Sequence, residues 1–390
     1  MACYISSNQN RFYAALESSF GAVGAISAQN RIPAIKLAVQ HAFLQGTRRD
    51  KTGTRSRAPL PTGRRTRTDF RLETYMTNWG DTTGEPAYGP LLQGALGAAP
   101  LLDAGNVVAS VGAGGEITVG GPHGLVKGQA VSFGSDIRFV EEIVNATTIR
   151  INAPFSMTPA TGAPLNATVT YGPATDLPTV SIFDYWSPST AVQRILAGSA
   201  IDSMKIKVNS DYHEFEFRGE ARDLVDNSSF TAGLASLSQF PQEPSVAEIG
   251  YQVIPGHVGQ VWMGSEQTQF FTLIEAEVEV TNNIDMSRRE FGSNGPQCVA
   301  AGERAVGIRF RLYEQDDAAT SGLYAAAKAR QPISVMLQLG QEPGQLCGVY
   351  LPMVIPEVPE FDDRNPRLEW AFALSHAAGF LNDEVRIAFA

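Results

Sequence analysis

The chain has 390 residues, 43% of them hydrophobic, with a mean hydropathy of -0.09 and a formal net charge of -10. This is length enough for two or three domains with sizeable cores, and no apolar run approaches the roughly 20 residues that cross a bilayer. Three scattered cysteines (Cys3, Cys298 and Cys347) exclude a disulfide framework or a zinc site and fit synthesis in a reducing compartment.

In chain order, the first ten residues lack a basic region ahead of an apolar stretch, so no secretion signal is expected. Ile35, Leu37 and Val39 alternate with polar or small residues and predict a strand. A basic stretch follows: Arg48, Arg49, Lys51, Arg55, Arg57, Arg64, Arg65, Arg67 and Arg71, opposed only by Asp50 and Asp69. Thr68, Phe70 and Leu72 form the apolar face of a second strand, and Pro90 to Leu96 predicts a short helix. Glycine-bounded strands are expected at 116–119, 129–133, 139–143 and 148–151. Pro188 to Gly198 opens with capping residues and closes on glycine, which predicts another helix. Strands follow at Lys205–Val208 and Glu214–Phe217, then at 274–280 and 308–312. Asp317 to Lys328 predicts an alanine-rich helix, and alternation resumes at Leu368–Leu374 and Val385–Phe389.

The chain repeats itself. Arg48-Arg49-Asp50 precedes Phe70-Arg71-Leu72, and Arg288-Arg289-Glu290 precedes Phe310-Arg311-Leu312, with a step of 240 positions in both cases. Both stretches read as strand, long polar loop, strand and short apolar segment, so one folding unit is used twice. Phe215-Glu216-Phe217 follows Phe70 by 145 positions, whereas Leu368-Glu369-Trp370 follows Phe310 by 58. The difference, 145 minus 58, is 87, about the size of an unmatched β-rich stretch. The expected organisation is therefore a discontinuous first unit (1–102 and 179–227), an inserted β module (103–178), and a linker with the second unit (228–390).

Several segments resemble bacteriophage tail tube proteins of the long-tailed, siphovirus type. They are Glu17-Ser-Ser-Phe-Gly21, Asn30-Arg-Ile-Pro33, Arg48-Arg-Asp-Lys-Thr-Gly-Thr54, Met204-Lys-Ile-Lys-Val-Asn209, His213-Glu-Phe-Glu-Phe-Arg-Gly219, Val349-Tyr-Leu-Pro-Met353 and Leu368-Glu-Trp-Ala-Phe-Ala-Leu374. The resemblance implies a mainly β fold, with two tandem tail-tube-type β-sandwich or barrel units, each with a short flanking helix, plus the small inserted all-β module on the tube exterior. It implies stacked rings, trimeric and pseudo-hexameric for a duplicated chain, around a channel through which DNA passes without sequence-specific binding. The expected partners are further copies of the chain and tape-measure, terminator and distal tail proteins, in a virion tail made in the host bacterial cytoplasm.

Within that frame, Glu275, Glu277 and Glu279 line one face of the strand Ile274–Val280. They are expected to face the lumen, where an acidic wall would repel DNA phosphates, with Glu214 and Glu216 as further lumen candidates. Taken alone, the same strand reads as an ordinary solvated face. Arg48, Arg49, Arg64, Arg65, Arg67, Arg288 and Arg289 are expected on arms reaching to the next ring, because long loops seldom lack a task and arginine binds carboxylates bidentately. A nucleic-acid reading of those arms lacks aromatics for base stacking. The five histidines show no ligand spacing, the aspartate pairs read as turns and caps, and Gly112–Gly115 reads as a turn. No catalytic residue, metal or cofactor is expected, and a structural protein is favoured over an enzyme. The alternatives are another ring-forming tail protein (terminator or distal tail) and an adhesin whose inserted module binds cell-surface carbohydrate.

Overall fold

A computed structural model describes residues 4–44, 51, 53–55, 65–79, 84–208, 211–245, 250–264, 268–286 and 290–390. The chain is mainly β, with large antiparallel sheets, a half-barrel sheet and two α-helices among the described residues. The first part contributes β1 (Asn10–Leu16), β2 (Arg31–Ile32), β3 (Ala34–Leu44), β4 (Arg65–Tyr75), α1 (Gly89–Leu96) and β5 (Leu101–Asp103). There follow β6 (Val108–Val111), β7 (Glu116–Val119), β8 (Ala130–Phe133), β9 (Asp136–Ile143), β10 (Thr148–Ile151) and β11 (Thr168–Tyr171). Next come β12 (Val180–Trp186), β13 (Arg194–Val208), β14 (Glu214–Ala221) and β15 (Asp223–Asp226). The second part contributes β16 (Gly259–Gly264), β17 (Thr268–Phe270), β18 (Leu273–Thr281), β19 (Ala305–Tyr313) and α2 (Ala318–Ala329). It ends with β20 (Ile333–Leu339), β21 (Cys347–Ile355), β22 (Glu360–Asp362), β23 (Glu369–Ala377) and β24 (Arg386–Phe389).

The strand pairings occur twice in the same chain order. In the first part β1 pairs with β2 and β12, β13 with β12, β14 and β15, and β4 with β3 and β14. In the second part β16 pairs with β17 and β20, β21 with β20, β23 and β24, and β19 with β18 and β23. The register repeats as well. Leu72 lies opposite Phe217, and Leu312, 240 positions on, lies opposite Trp370. Helices α1 and α2 follow β4 and β19 respectively, and each buries one apolar side. Pro90 stands in the first turn of α1, where a missing N–H costs nothing. The Asp317 carboxylate accepts from Thr320 N at 2.6 Å and caps α2.

One apolar core runs through both halves, from Phe70, Leu72 and Phe217 to Phe310, Trp370 and Phe389. Each fully buried large side chain contributes about 1.5–3 kcal/mol. The outer face of each outer sheet is also apolar, and the two copies cover it differently. Tyr13, Phe183, Tyr185, Ile195 and Val225 of the first copy lie under Phe230, Leu234, Leu237 and Phe240. Met336, Tyr350 and Ala388 of the second lie under Ala130, Ile137 and Phe139 of the inserted sheet.

That inserted sheet has five strands in the order β6-β7-β10-β9-β8. It packs on the second unit although the chain enters it from the first. Arg138, wholly buried, fastens the junction. Its guanidinium donates to Gln338 Oε1 at 2.8 Å and Gln260 Oε1 at 3.0 Å, and it lies 5.2 Å from the Trp262 ring. Burial pushes this group down to about 10, against the pull of Asp136. Thr168–Tyr171, also inside the expected module, joins the large sheet as β11 by pairing with β24 and β5.

The helix expected over Pro188–Gly198 is corrected: the segment is a turn followed by β13, which begins at Arg194. Ile195 buries against the outer covering and Leu196 against the main core. Neighbouring residues can bury on opposite sides only in an extended chain. Gln193 completes the turn, its side chain accepting from Trp186 N and donating to Trp186 O. The helices expected at Pro90–Leu96 and Asp317–Lys328 are present.

Candidate functional site

Between the two parts, β13 and β18 pair antiparallel from Ser203↔Thr281 to Val208↔Ala276. The seam joins the copies edge to edge and makes one run of strands, β3-β4-β14-β13-β18-β19-β23-β22. Every strand in it is antiparallel to its neighbours, so side chains alternate between the shared core and the opposite face. Met204, Ile206, Val278, Val280, Ile308 and Phe310 point into the core.

The opposite face is charged, and from β13 to β23 its sign alternates from strand to strand. The expected lumen residues Glu275, Glu277 and Glu279 are there, but they are not a bare acidic row. Lys205 on one side lies 3.1 Å from Glu277 and 3.4 Å from Glu279. On the other side Arg309 lies 3.1 Å from Glu279 and 3.6 Å from Glu277, and Arg311 lies 3.3 Å from Glu275. Arg311 also pairs diagonally with Glu369 of the next strand, β23. Lys207 reaches Glu214 at 3.3 Å and Glu216 at 3.7 Å. Mutual repulsion along β18 is thus offset by cations on both flanking strands.

Two acidic pairs stand directly opposite each other, Glu73↔Glu216 and Asp69↔Glu220, with the basic pair Arg71↔Arg218 between them. An arginine of β4 bridges each acidic pair. Arg71 lies 2.6 Å from Glu73 and 2.8 Å from Glu216, and Arg67 lies 2.8 Å from Asp69 and 3.3 Å from Glu220. Glu216 is the most enclosed of these carboxylates, with its side chain 3% exposed. Burial pushes its pKa up, but hydrogen bonds from Arg71 and Arg218 outweigh that and hold it below the usual glutamate range. Glu275 is at the other extreme, 55% exposed. At one end of the face a hollow of ≈ 810 Å³ is lined by Lys207, Glu275, Arg309, Arg311 and Glu357.

The arm residues fall differently from expectation. Arg65 and Arg67 lie in β4, not in a loop, and Arg67 is engaged within the charged face. Arg48, Arg49, Arg64, Arg288 and Arg289 lie outside the described residues. The described part of the second long loop turns sideways, toward the sister copy. Asn294 O accepts from Thr66 N at 2.9 Å. Arg304, at the end of that loop, donates to Ala174 O at 2.8 Å and to Asn382 Oδ1 at 2.7 Å.

Among the histidines, His41 meets a hydroxyl: its Nδ1 lies 2.8 Å from Oγ1 of the buried Thr68. His213 is buried, which holds its pKa below the usual histidine value, and the His123 ring bonds Asn145 O and Leu125 N. Among the described residues no cluster of His, Cys, Asp and Glu could hold a metal ion, and no helix is long and apolar enough to cross a membrane. The charge ladder had a sequence signal that went unread. Lys205/Lys207 and Glu277/Glu279 carry complementary signs at the same spacing, as two strands that pair should. No protein-family model matches the chain, and no curated protein matches it.

Proposed function

We propose that the protein is the structural subunit of a bacteriophage tail tube, assembling from copies of itself into stacked rings around a DNA-conducting channel. The observation that carries this reading is the β13–β18 seam. It joins two equivalent units through unlike edges, β13 of one and β18 of the other. Such a head-to-tail contact, repeated between molecules, closes a ring or propagates as a filament.

The size also fits a bore. Three copies of the eight-strand run make 24 strands; at about 4.8 Å per strand and roughly 40° of tilt, the wall is about 50 Å across. The charged face then lines the inside. Acidic groups outnumber basic ones there, and nearly every base is already held by an acid, so few cations are left to grip phosphate. Closure also removes the free sheet edges, which otherwise promote aggregation.

Electron microscopy of the purified protein tests this. Rings of three chains, alone or stacked into tubes, are expected. A chain that sediments as a monomer at every concentration would sink the reading, and rings of six chains would remove the pseudo-hexameric version of it.

A further inference from the structure

We infer that the β3 edge of one copy docks on the β22 edge of a second copy in the register of the internal seam, seating Phe43 on Phe361. The inference rests on the ring reading and adds to it the edge, the register and the anchor residues. It follows from the repeat. Val280 lies opposite Val306; 240 positions lower, Phe43 lies opposite Thr66, so Phe43 holds the place of Val280. Met204 lies opposite Phe217, which lies opposite Leu72; Phe361 lies opposite Trp370, which lies opposite Leu312. Phe361 therefore holds the place of Met204.

Inside the chain these places face each other across the seam and are closed: Val280 is 0% and Met204 1% exposed. At the two ends of the run the same places hold larger, part-exposed side chains, Phe43 (51%), edge-on to His41, and Phe361 (57%). Carrying the internal register across two molecules puts Leu44 opposite Glu360, Phe43 opposite Phe361 and Ala42 opposite Asp362.

The β22 side is shaped for an occupant. Phe361 stacks on Trp370 with ring centroids 5.5 Å apart, and Tyr324 closes the cluster. These rings floor an open groove of ≈ 910 Å³ whose rim carries Glu314, Asp316 and Asp317. Glu360 and Asp362 lie on β22, and Arg65 and Arg67 stand beside the end of β3; Asp362 is also paired with Arg364, and Arg67 with Asp69 and Glu220. The aromatic pair would anchor the contact, and the charges would steer it.

The test uses the full chain with Cys3→Ser and Cys298→Ser. Phe43→Cys combined with Phe361→Cys brings two thiols within disulfide reach only if the strands meet in this register. Oxidation is expected to give covalent dimers and trimers on a non-reducing gel. Lys36→Cys with Phe361→Cys, seven residues out of register, should give none. Separately, Phe43→Asp should abolish rings in micrographs while leaving circular dichroism and the melting temperature near wild type. Rings from Phe43→Asp at the wild-type level, with no disulfide ladder from the paired cysteines, would overturn this edge assignment and leave the tube reading standing. A wild-type chain that never forms rings would overturn both.

Discussion

Phe139 of the inserted sheet lies flat on Tyr350 of β21, with ring centroids 5.2 Å apart and planes 18° from parallel. Gly348 makes the approach possible, since a Cβ there would come within 2.9 Å of the Phe139 ring. The insert is therefore packed into the second unit as a covering, and an ornament on a tether does not describe it.

Removing that ring should be costly. Phe139→Ala is expected to lower unfolding stability by about 3–5 kcal/mol, read as a drop in the urea midpoint. Excising residues 104–166 should do more, uncovering Met336, Tyr350 and Ala388 and producing a chain that binds hydrophobic dyes or aggregates. A soluble, dye-silent excision variant would show that the insert covers nothing essential.

Lys205 and Glu279 should be energetically coupled. They lie directly opposite each other across the seam, 3.4 Å apart and about one-fifth exposed. A double-mutant cycle with Lys205→Met and Glu279→Gln is expected to give about 0.5–1 kcal/mol of coupling. Lys205→Glu, placed among three carboxylates of β18 and β14, should destabilise by more than either neutral change. Additive single effects would mean that the ladder contributes nothing to joining the units.

Stability should fall on acidification in two stages. His213 is kept neutral by burial, its pKa below 6.5, so the unfolded chain binds the extra proton and stability declines as pH drops below about 6.5. Glu216 has its pKa lowered in the fold, so its contribution is present above about 4.5 and is lost as pH falls through its folded value. Asp103, Glu141 and Asp223, pushed up by burial, act in the opposite sense and moderate the decline. Melting temperatures from pH 8 to pH 3 check this. Glu216→Gln should remove part of the lower stage, which Glu243, Asp226 and Asp362 share, and His213→Gln should flatten the upper; unchanged profiles would refute the assignments.

The acids of β18 should matter more for what the face repels than for whether it folds. Replacing Glu275, Glu277 and Glu279 by glutamine leaves Lys205, Arg309 and Arg311 with fewer counter-charges. The variant is expected to retain short duplex DNA at low salt and to release it by about 200 mM salt, whereas the wild type passes unbound. Equal retention of both proteins would count against an anti-adhesive lining.

Much of the fold was legible because its largest regularity is a repeat. The 240-residue step between Phe70 and Phe310 survives as equivalent registers, and period-two alternation marked β4, β14, β19 and β23. What was missed depended on contacts far apart in the chain. Ile195 and Leu196 look like two residues of one helix face until the outer covering of the first unit is known. Leu374 reads as part of an apolar face with Trp370 and Phe372. A bulge at Ile308/Phe310 instead puts Leu374 over Gly307, where the missing side chain leaves it room. The acidic strand was recognised, but its neighbours were not, because nothing local pairs β18 with a strand some 70 residues upstream.

The covalent tie across β13 and β18 has a consequence for how the protein behaves on dilution. Two edges that belong to one polypeptide meet at an effective concentration fixed by the linker, so no loss of material in solution can part them. Only the outer edges obey mass action. A duplicated chain thus carries half of its joints ready-made, and any disassembly must begin at the other half.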